Sequence, residues 1–319
     1  MMTLSQGLDP HVHAFLEQLN STGSAPLESL TPDEARHALN AMQAPASDMT
    51  GITEHQQTID VDGRSVLLHI IKPAEAPEKI PVFMFFHGGG WVLGDYSLHQ
   101  RLVRDLVVLS KTACVFVDYT RAPEARFPIA IEQAYSATCW VAAHGEALGL
   151  DSTRIGVVGN SAGGNMATVV CMMAKARGGP SIIHQVLLWP VTDARFDTAS
   201  YQQWAEGYFL TRSLMEWFWN SYLDRHEQRH LHLVSPLQGT REQLKGLPPA
   251  LIQTAEFDVL RDEGEAYALA LANAGVEVSC VRYNGLIHDF GLLNALSHVP
   301  AVRTAVRQVA DELRFRLQA

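Results

Sequence analysis

A serine flanked by small residues, Gly159-Asn160-Ser161-Ala162-Gly163, sits between an apolar run, Arg154-Ile155-Gly156-Val157-Val158, and a helix-like run from Asn165 to Ala176. Strand, tight turn and helix around Gly-x-Ser-x-Gly describe a nucleophile elbow. Such a turn tolerates only small neighbours and strains the serine backbone, which lifts the hydroxyl clear of a sheet. The following helix aims its free N–H groups and positive dipole end at any anion formed there. A serine hydroxyl needs a base. Imidazole titrates near neutrality, and a carboxylate can fix its tautomer and steady its positive charge. His288 follows the last apolar run, Val276–Tyr283, and Asp258 follows the run Ala250–Ala255. Asp289 is disfavoured as the acid because a residue seldom turns back onto its neighbour's ring, and Asp118 precedes the serine in the chain. Glu256, Asp262 and Glu263 read as acceptors for local loop and helix-start hydrogen bonds. Directly after the run Val82–Phe86 comes His87-Gly88-Gly89-Gly90-Trp91. Consecutive glycines let backbone N–H groups approach a ligand. Two donors from Gly88, Gly89 and Gly90, with the N–H of Ala162, would hold an oxyanion.

These residues need a scaffold that brings them to one rim. Short apolar runs at Val82–Phe86, Cys114–Tyr119, Arg154–Val158, Gln185–Trp189, Ala250–Ala255 and Val276–Tyr283 alternate with helical patterns. The helices are expected at Leu98–Ser110, Ile129–Ala143, Asn165–Ala176, Asp262–Ala274 and about Ala301–Leu317, with Gly275 as a C-cap. This alternation predicts an α/β fold with a mostly parallel sheet covered on both faces, where ligands bind at the carboxyl ends of the strands. Upstream, Gln56–Val61 and Val66–Ile71 flank Asp62-Gly63 as an antiparallel hairpin. Residues 1–50 read as two amphipathic helices. One starts at Asp9-Pro10 with the stripe Val12, Phe15, Leu16, Leu19. The other starts at the capping box Thr31-Pro32-Asp33-Glu34. Residues 194–234 interrupt the alternation and are dense in aromatics, with Ser213 and Glu216 as a candidate capping box. They read as a lid that joins residues 1–50 in a helical cap and lines an apolar acyl pocket with Trp91, Tyr208, Phe209, Leu210 and Trp217. Residues 51–193 and 235–319 make the core.

The 319 residues are 47% hydrophobic and 18% charged, enough for a large core without disulfides. Cys114, Cys139, Cys171 and Cys280 read as buried thiols in a reducing compartment. A net charge of −10 argues against nucleic acid or anionic membrane as partners. The amino terminus lacks a basic-then-apolar secretory pattern, and no apolar run approaches a membrane span, so a soluble cytoplasmic protein is expected. One stretch competes for the chemistry. His226-Glu227-Gln228-Arg229-His230 fits His-Glu-x-x-His, which on an α-helix could place two imidazoles on Zn²⁺. No third ligand stands out, and no metal is expected.

The sequence resembles the bacterial hormone-sensitive-lipase family of esterases (family IV) with the α/β-hydrolase fold. The matching stretches include His87-Gly88-Gly89-Gly90-Trp91, Asp118-Tyr119 through Phe127-Pro128, Gly159 to Gly164, Leu188 to Asp193, Asp258 to Gly264 and His288-Asp289-Phe290. The order Ser161, Asp258, His288 is that of these hydrolases. The resemblance implies an eight-stranded, mostly parallel sheet with a helical cap, and a serine carboxylesterase that needs no cofactor and cleaves short-to-medium-chain esters. It also implies oxyanion donors at Gly89, Gly90 and Ala162, with Gly88 shaping the turn, and a possible homodimer. Amide hydrolysis or acyl transfer would use the same residues, and some relatives on this fold are ligand receptors. Two positions depart from the family: Asn160 stands where Asp is usual, and Val259 where Pro is frequent.

Overall fold

Two-residue alternation within apolar strands dictates the core. The computed structural model describes residues 4–43 and 48–318. Residues 1–3 and 44–47 of the expected amino-terminal cap segment lie outside the described residues. The chain opens with α1 (Pro10–Ser21) and α2 (Pro32–Met42). The hairpin β1 (Ile52–Val61) and β2 (Arg64–Pro73) follows, then β3 (Ile80–Phe86), α3 (Tyr96–Ser110), β4 (Ala113–Asp118) and α4 (Ile129–His144). Next come β5 (Leu150–Asn160), α5 (Ala162–Arg177) and β6 (His184–Leu188). The insertion holds α6 (Ala199–Gln203) and α7 (Arg212–Tyr222). The chain closes with α8 (Arg241–Leu244), β7 (Ala250–Phe257), α9 (Arg261–Asn273), β8 (Val278–Ile287) and α10 (Pro300–Gln318).

The eight strands form one sheet in the order β1-β2-β4-β3-β5-β6-β7-β8. Only the β1–β2 and β2–β4 pairs are antiparallel. Val82, Met84 and Phe86 pack with Val115, Val117, Ile155 and Val157 under α4, α5 and α9. Phe83 and Phe85 point the other way, with Cys114 and Phe116, under α3 and α10. Both faces are therefore covered, which is why β3 reads as an unbroken apolar run. The strand order reverses at β3. From there the chain goes to β4 on one side and β5 on the other, and Phe86 lies beside Gly159. A crevice opens at such a switch point, and it is where the glycine loop and Ser161 emerge.

Local starts follow the expected chemistry with small shifts. Asp9 accepts from His11 N–H ahead of Pro10, and Thr31 with Glu34 forms a reciprocal capping box. Asp62 and Gly63 both take positive φ, 51° and 78°, as a two-residue hairpin turn requires. The insertion helix differs: Thr211, not Ser213, is the cap of α7, accepting from Leu214 N–H, so the helix begins two residues before the expected box. At the end of α9, Ala274 is the C-cap and Gly275 follows it at φ +85°. The cysteines also need correction. Cys114 and Cys171 are buried, but Cys139 is half-buried and Cys280 is exposed. Strand β8 is a sheet edge, and Cys280 lies there with Val278 and Arg282 in an open groove against α9.

The β5–α5 turn is the tightest packing in the sheet. A Cβ on Gly159 would sit 2.0 Å from the Gly163 carbonyl oxygen, and one on Gly163 would sit 1.9 Å from that of Phe86. These are backbone atoms of helix α5 and strand β3, so no side-chain rotation relieves the clash. Gly163→Ala is expected to cost about 3 kcal/mol or more in urea unfolding; a loss below about 1 kcal/mol would show that the turn has room to move.

Candidate active site

Ser161 holds φ +54° and ψ −122°, a conformation L-residues rarely adopt. It is over-determined by backbone bonds: its N–H donates to Leu188 O (2.9 Å), and its carbonyl accepts from Val191 N–H (3.1 Å) and Asn165 N–H (3.2 Å). The loops after β7 and β8 bring the other two expected residues to it. Ser161 Oγ–H donates to His288 Nε2 (3.0 Å), and His288 Nδ1–H donates to Asp258 Oδ2 (2.7 Å). This tautomer leaves Nε2 free to take a proton. Asp258 is itself steadied by Leu260 N–H on its other oxygen (2.9 Å). All three side chains are buried. Burial disfavours the imidazolium, but the charges of Asp258 and Asp289 and the Asp258 hydrogen bond outweigh it, so His288 titrates above its ordinary value. Asp289 lies 3.9 Å from His288 Nε2 and is not its hydrogen-bonded partner.

The glycine loop supplies two free donors rather than three. Gly88 N–H donates to Asn160 Oδ1 (2.9 Å) and so cannot serve an oxyanion. This corrects its place among the expected donors. The amides of Gly89, Gly90 and Ala162 meet no protein acceptor among the described residues. Gly89 and Gly90 take φ +101° and +60°, and a Cβ on Gly90 would lie 2.0 Å from the Phe218 ring. Neighbouring His87 is fully buried and stacked on Tyr119. Burial first, then nearby His99, pushes its pKa down to about 3, so it stays neutral and acts as packing.

The departure at Asn160 has a local explanation. Its Nδ2 donates to Asp289 Oδ1 (3.0 Å), which also accepts from Trp189 Nε1 (2.7 Å). An aspartate at 160 would set a second like charge against Asp289 and remove the N–H that Asn160 donates to it. This triangle of Asn160, Trp189 and Asp289 went unread in the sequence, because no spacing rule joins three loops. Glu263, expected to serve local loop or helix-start hydrogen bonds, instead reaches the distant loop after β6, accepting from Thr192 N–H (2.6 Å) and Asp193 N–H (3.1 Å).

Above the triad is a cleft of about 410 Å³ that reaches Gly89, Gly90, Ser161 and His288. Leu27 and Leu39 line it from the amino-terminal segment, and Phe209, Leu210, Leu214 and Phe218 from the insertion. Phe209 and Leu210 were expected here. Trp91, Tyr208 and Trp217 lie outside the lining. Trp91 is fully buried and stacks on Tyr222. Tyr208 stacks on Phe257, and its hydroxyl accepts from Ser5 N–H. Trp217 sits one residue from Phe218, and the face of α7 turned to the cleft is the i, i+4 pair Leu214 and Phe218. Arg36 ties α2 to the glycine loop. It donates to Val92 O and Ala122 O (2.9 Å each), grips Glu124 in a two-bond fork, and also pairs with Asp33. The His226–His230 stretch forms a 3₁₀ turn rather than an α-helix. At three residues per turn its two imidazoles diverge by about 120°, so the shared face assumed for a zinc site does not form.

The family described as alpha/beta hydrolase fold matches residues 83–292, which span the glycine loop, Ser161, Asp258 and His288. The carboxylesterase NlhH of Mycobacterium tuberculosis is 33% identical over 287 residues, covering 89% of this chain and 89% of its own. The ethyl acetate hydrolase of Pseudomonas putida is 32% identical, covering 89% of this chain and 92% of its own. A thermostable esterase from Pseudomonas putida, solved by crystallography, is 56% identical and superposes with a TM-score of 0.97 over 99% of this chain and all of its own. With the sheet order, the elbow and these likenesses together, the chain belongs to the hormone-sensitive-lipase-like α/β hydrolases and is a carboxylic ester hydrolase.

Proposed function

We propose that this hydrolase cleaves short-to-medium-chain esters through Ser161, His288 and Asp258, by way of an acyl-enzyme. The observation that carries the reading is the unbroken pair of hydrogen bonds from Ser161 Oγ to His288 and from His288 to Asp258. Ser161 Oγ attacks the ester carbonyl while its proton passes to His288 Nε2. The carbonyl oxygen becomes an anion at the converging amides of Gly89, Gly90 and Ala162, where the positive end of α5 adds to the field. These donors are in place before reaction, so no reorganisation is needed as charge develops. The imidazolium gives its proton to the departing alcohol. Water then enters and attacks the acyl carbon while losing a proton to His288, and the acid leaves as that proton returns to Ser161 Oγ. Asp258 holds the tautomer and steadies the positive ring, work for which its buried, doubly bonded carboxylate is suited. Gly88 acts one step removed, by fixing the loop onto Asn160. Residues 1–50 and 194–234 act as a cap, a reading supported by their shared lining of the cleft and by the bond from Asn20 to Gly207 O.

Ser161→Ala is expected to abolish hydrolysis of p-nitrophenyl butyrate and labelling by a p-nitrophenyl phosphonate. Labelling that persists in this variant would move the nucleophile elsewhere. The base must be neutral to act, so kcat/KM should fall as pH drops through a midpoint above the ordinary histidine value, as the raised pKa of His288 requires. Asp258→Asn removes the charge and, with its amide oxygen held by Leu260 N–H, turns an N–H donor instead of an acceptor towards His288 Nδ1. It should lower kcat by about 10³–10⁴-fold and move the acid limb to lower pH. An unmoved limb would mean that another group titrates. The apolar cleft that Leu214 and Phe218 help line holds only about 410 Å³, so acyl chains of about eight carbons or fewer should turn over faster than palmitoyl. A p-nitrophenyl ester series tests this, and a rate that rises through palmitoyl would reject it.

A further inference from the structure

Away from the cleft, α3 and α10 leave between them an open groove of about 560 Å³. Four arginines line it, Arg101 and Arg104 from α3 and Arg303 and Arg307 from α10, against one acid, Asp105. The chain as a whole carries a net charge of −10, so this concentration of cations runs against the rest of the molecule. Two of the arginines are fixed. Arg101 donates to Gly291 O (2.6 Å), Leu292 O (2.9 Å), Asn294 Oδ1 (2.6 Å) and Asp105 (3.2 Å). Arg104 donates to Thr50 O (3.0 Å), Asp105 (3.1 Å) and Asp48 (3.0 Å). Asp105 is thus already shared between them. Arg303 and Arg307 are exposed and make no ion pair or side-chain hydrogen bond with any described residue. They stand one helical turn apart, about 6 Å along the axis, so one small anion can lie between them. Beside these charges runs an apolar strip of Val108, Leu109, Val302 and Val306, with Leu109 39% exposed.

The two features call for one kind of occupant. A small inorganic anion would satisfy the guanidinium groups and leave the strip wet. A neutral hydrocarbon would cover the strip and leave the arginines unanswered. A carboxylate carrying an aliphatic tail meets both, since Arg recognises carboxylates with paired donors and the tail removes apolar surface from water. We propose that the α3–α10 groove binds an amphiphilic carboxylate, a medium-chain alkanoate of the class that ester hydrolysis releases. Its identification with a product rests on the proposed function; the binding itself does not. The head group lies between Arg303 and Arg307, and the tail lies along Val108, Leu109, Val302 and Val306.

The test is calorimetric titration of sodium octanoate into the full-length chain carrying Ser161→Ala, with and without Arg303→Ala/Arg307→Ala. Both arginines are exposed, so the double variant should fold, and when made in the chain that keeps Ser161 it should leave ester turnover unchanged. Octanoate affinity is expected to fall about tenfold or more in the double variant. Arg303→Lys/Arg307→Lys should keep part of it, and octanol should bind more weakly than octanoate. Equal affinity in the alanine variant, or equal affinity for octanol, would overturn the proposal. So would retention by phosphatidylglycerol vesicles without uptake of monomeric octanoate, because the groove would then read a lipid surface. Failure of the catalytic reading would show separately, as an active Ser161→Ala enzyme, whatever the titration gives.

Discussion

One side-chain amide ties the Ser161 turn to two of its neighbouring loops. Asn160 ends β5, accepts from Gly88 on the glycine loop, and donates to Asp289 on the histidine loop. It is completely buried, so both bonds are made in a low-dielectric setting where an unmet polar group would be costly. The geometry at Ser161, one residue on, inherits that restraint. An amide can donate on one side and accept on the other, and this position needs both. A carboxylate could answer only the Gly88 amide. The residue identity is therefore set by its two neighbours rather than by the reaction.

The sheet makes this meeting possible. Parallel strands end at a common edge, and the reversal of strand order at β3 puts the β3 and β5 loops side by side. Gly88 and Gly89 after β3, and Gly159 and Gly163 either side of Ser161, are then demanded by contact with other backbone atoms. Gly163 meets Phe86 O, Gly159 meets Gly163 O, and Gly89 meets Leu93 O. Backbone lying this close to backbone is rigid. Rigidity is what an oxyanion site needs, since its donors must already point at a charge that exists only briefly.

Much of this was legible in the residues. Apolar runs such as Val82–Phe86 announce strands buried on both faces, and the spacing of Ser161, Asp258 and His288 after such runs places them on one rim. Strand β5 is longer than its apolar run, because Leu150 and Asp151 pair with Ile80 and Pro81 ahead of a register shift, and the polar side chains from Asp151 to Arg154 hide that start. Other features depend on contacts between loops. Helical spacing marks α7 as amphipathic but does not say which neighbour takes which flank, so Trp217 was expected in the cleft where Phe218 stands. Trp91 follows three glycines and sits next to the chemistry in sequence, yet its positive φ turns the indole inward onto Tyr222. Cys280 was read as buried because its neighbours are apolar, and only the strand order reveals that β8 has an open side.

The fork from Arg36 has a consequence for how the molecule is assembled. Its guanidinium holds the carbonyls of Val92 and Ala122 while gripping Glu124, and it is carried on a helix formed in the first forty-odd residues. The leading segment thus braces that loop as well as lining the cleft through Leu27 and Leu39. A protease that nicked the chain just after α2 and let that helix drift off would widen the mouth of the cleft. It would also unhitch the loop beneath, leaving a more accessible enzyme with a slacker grip on its transition state.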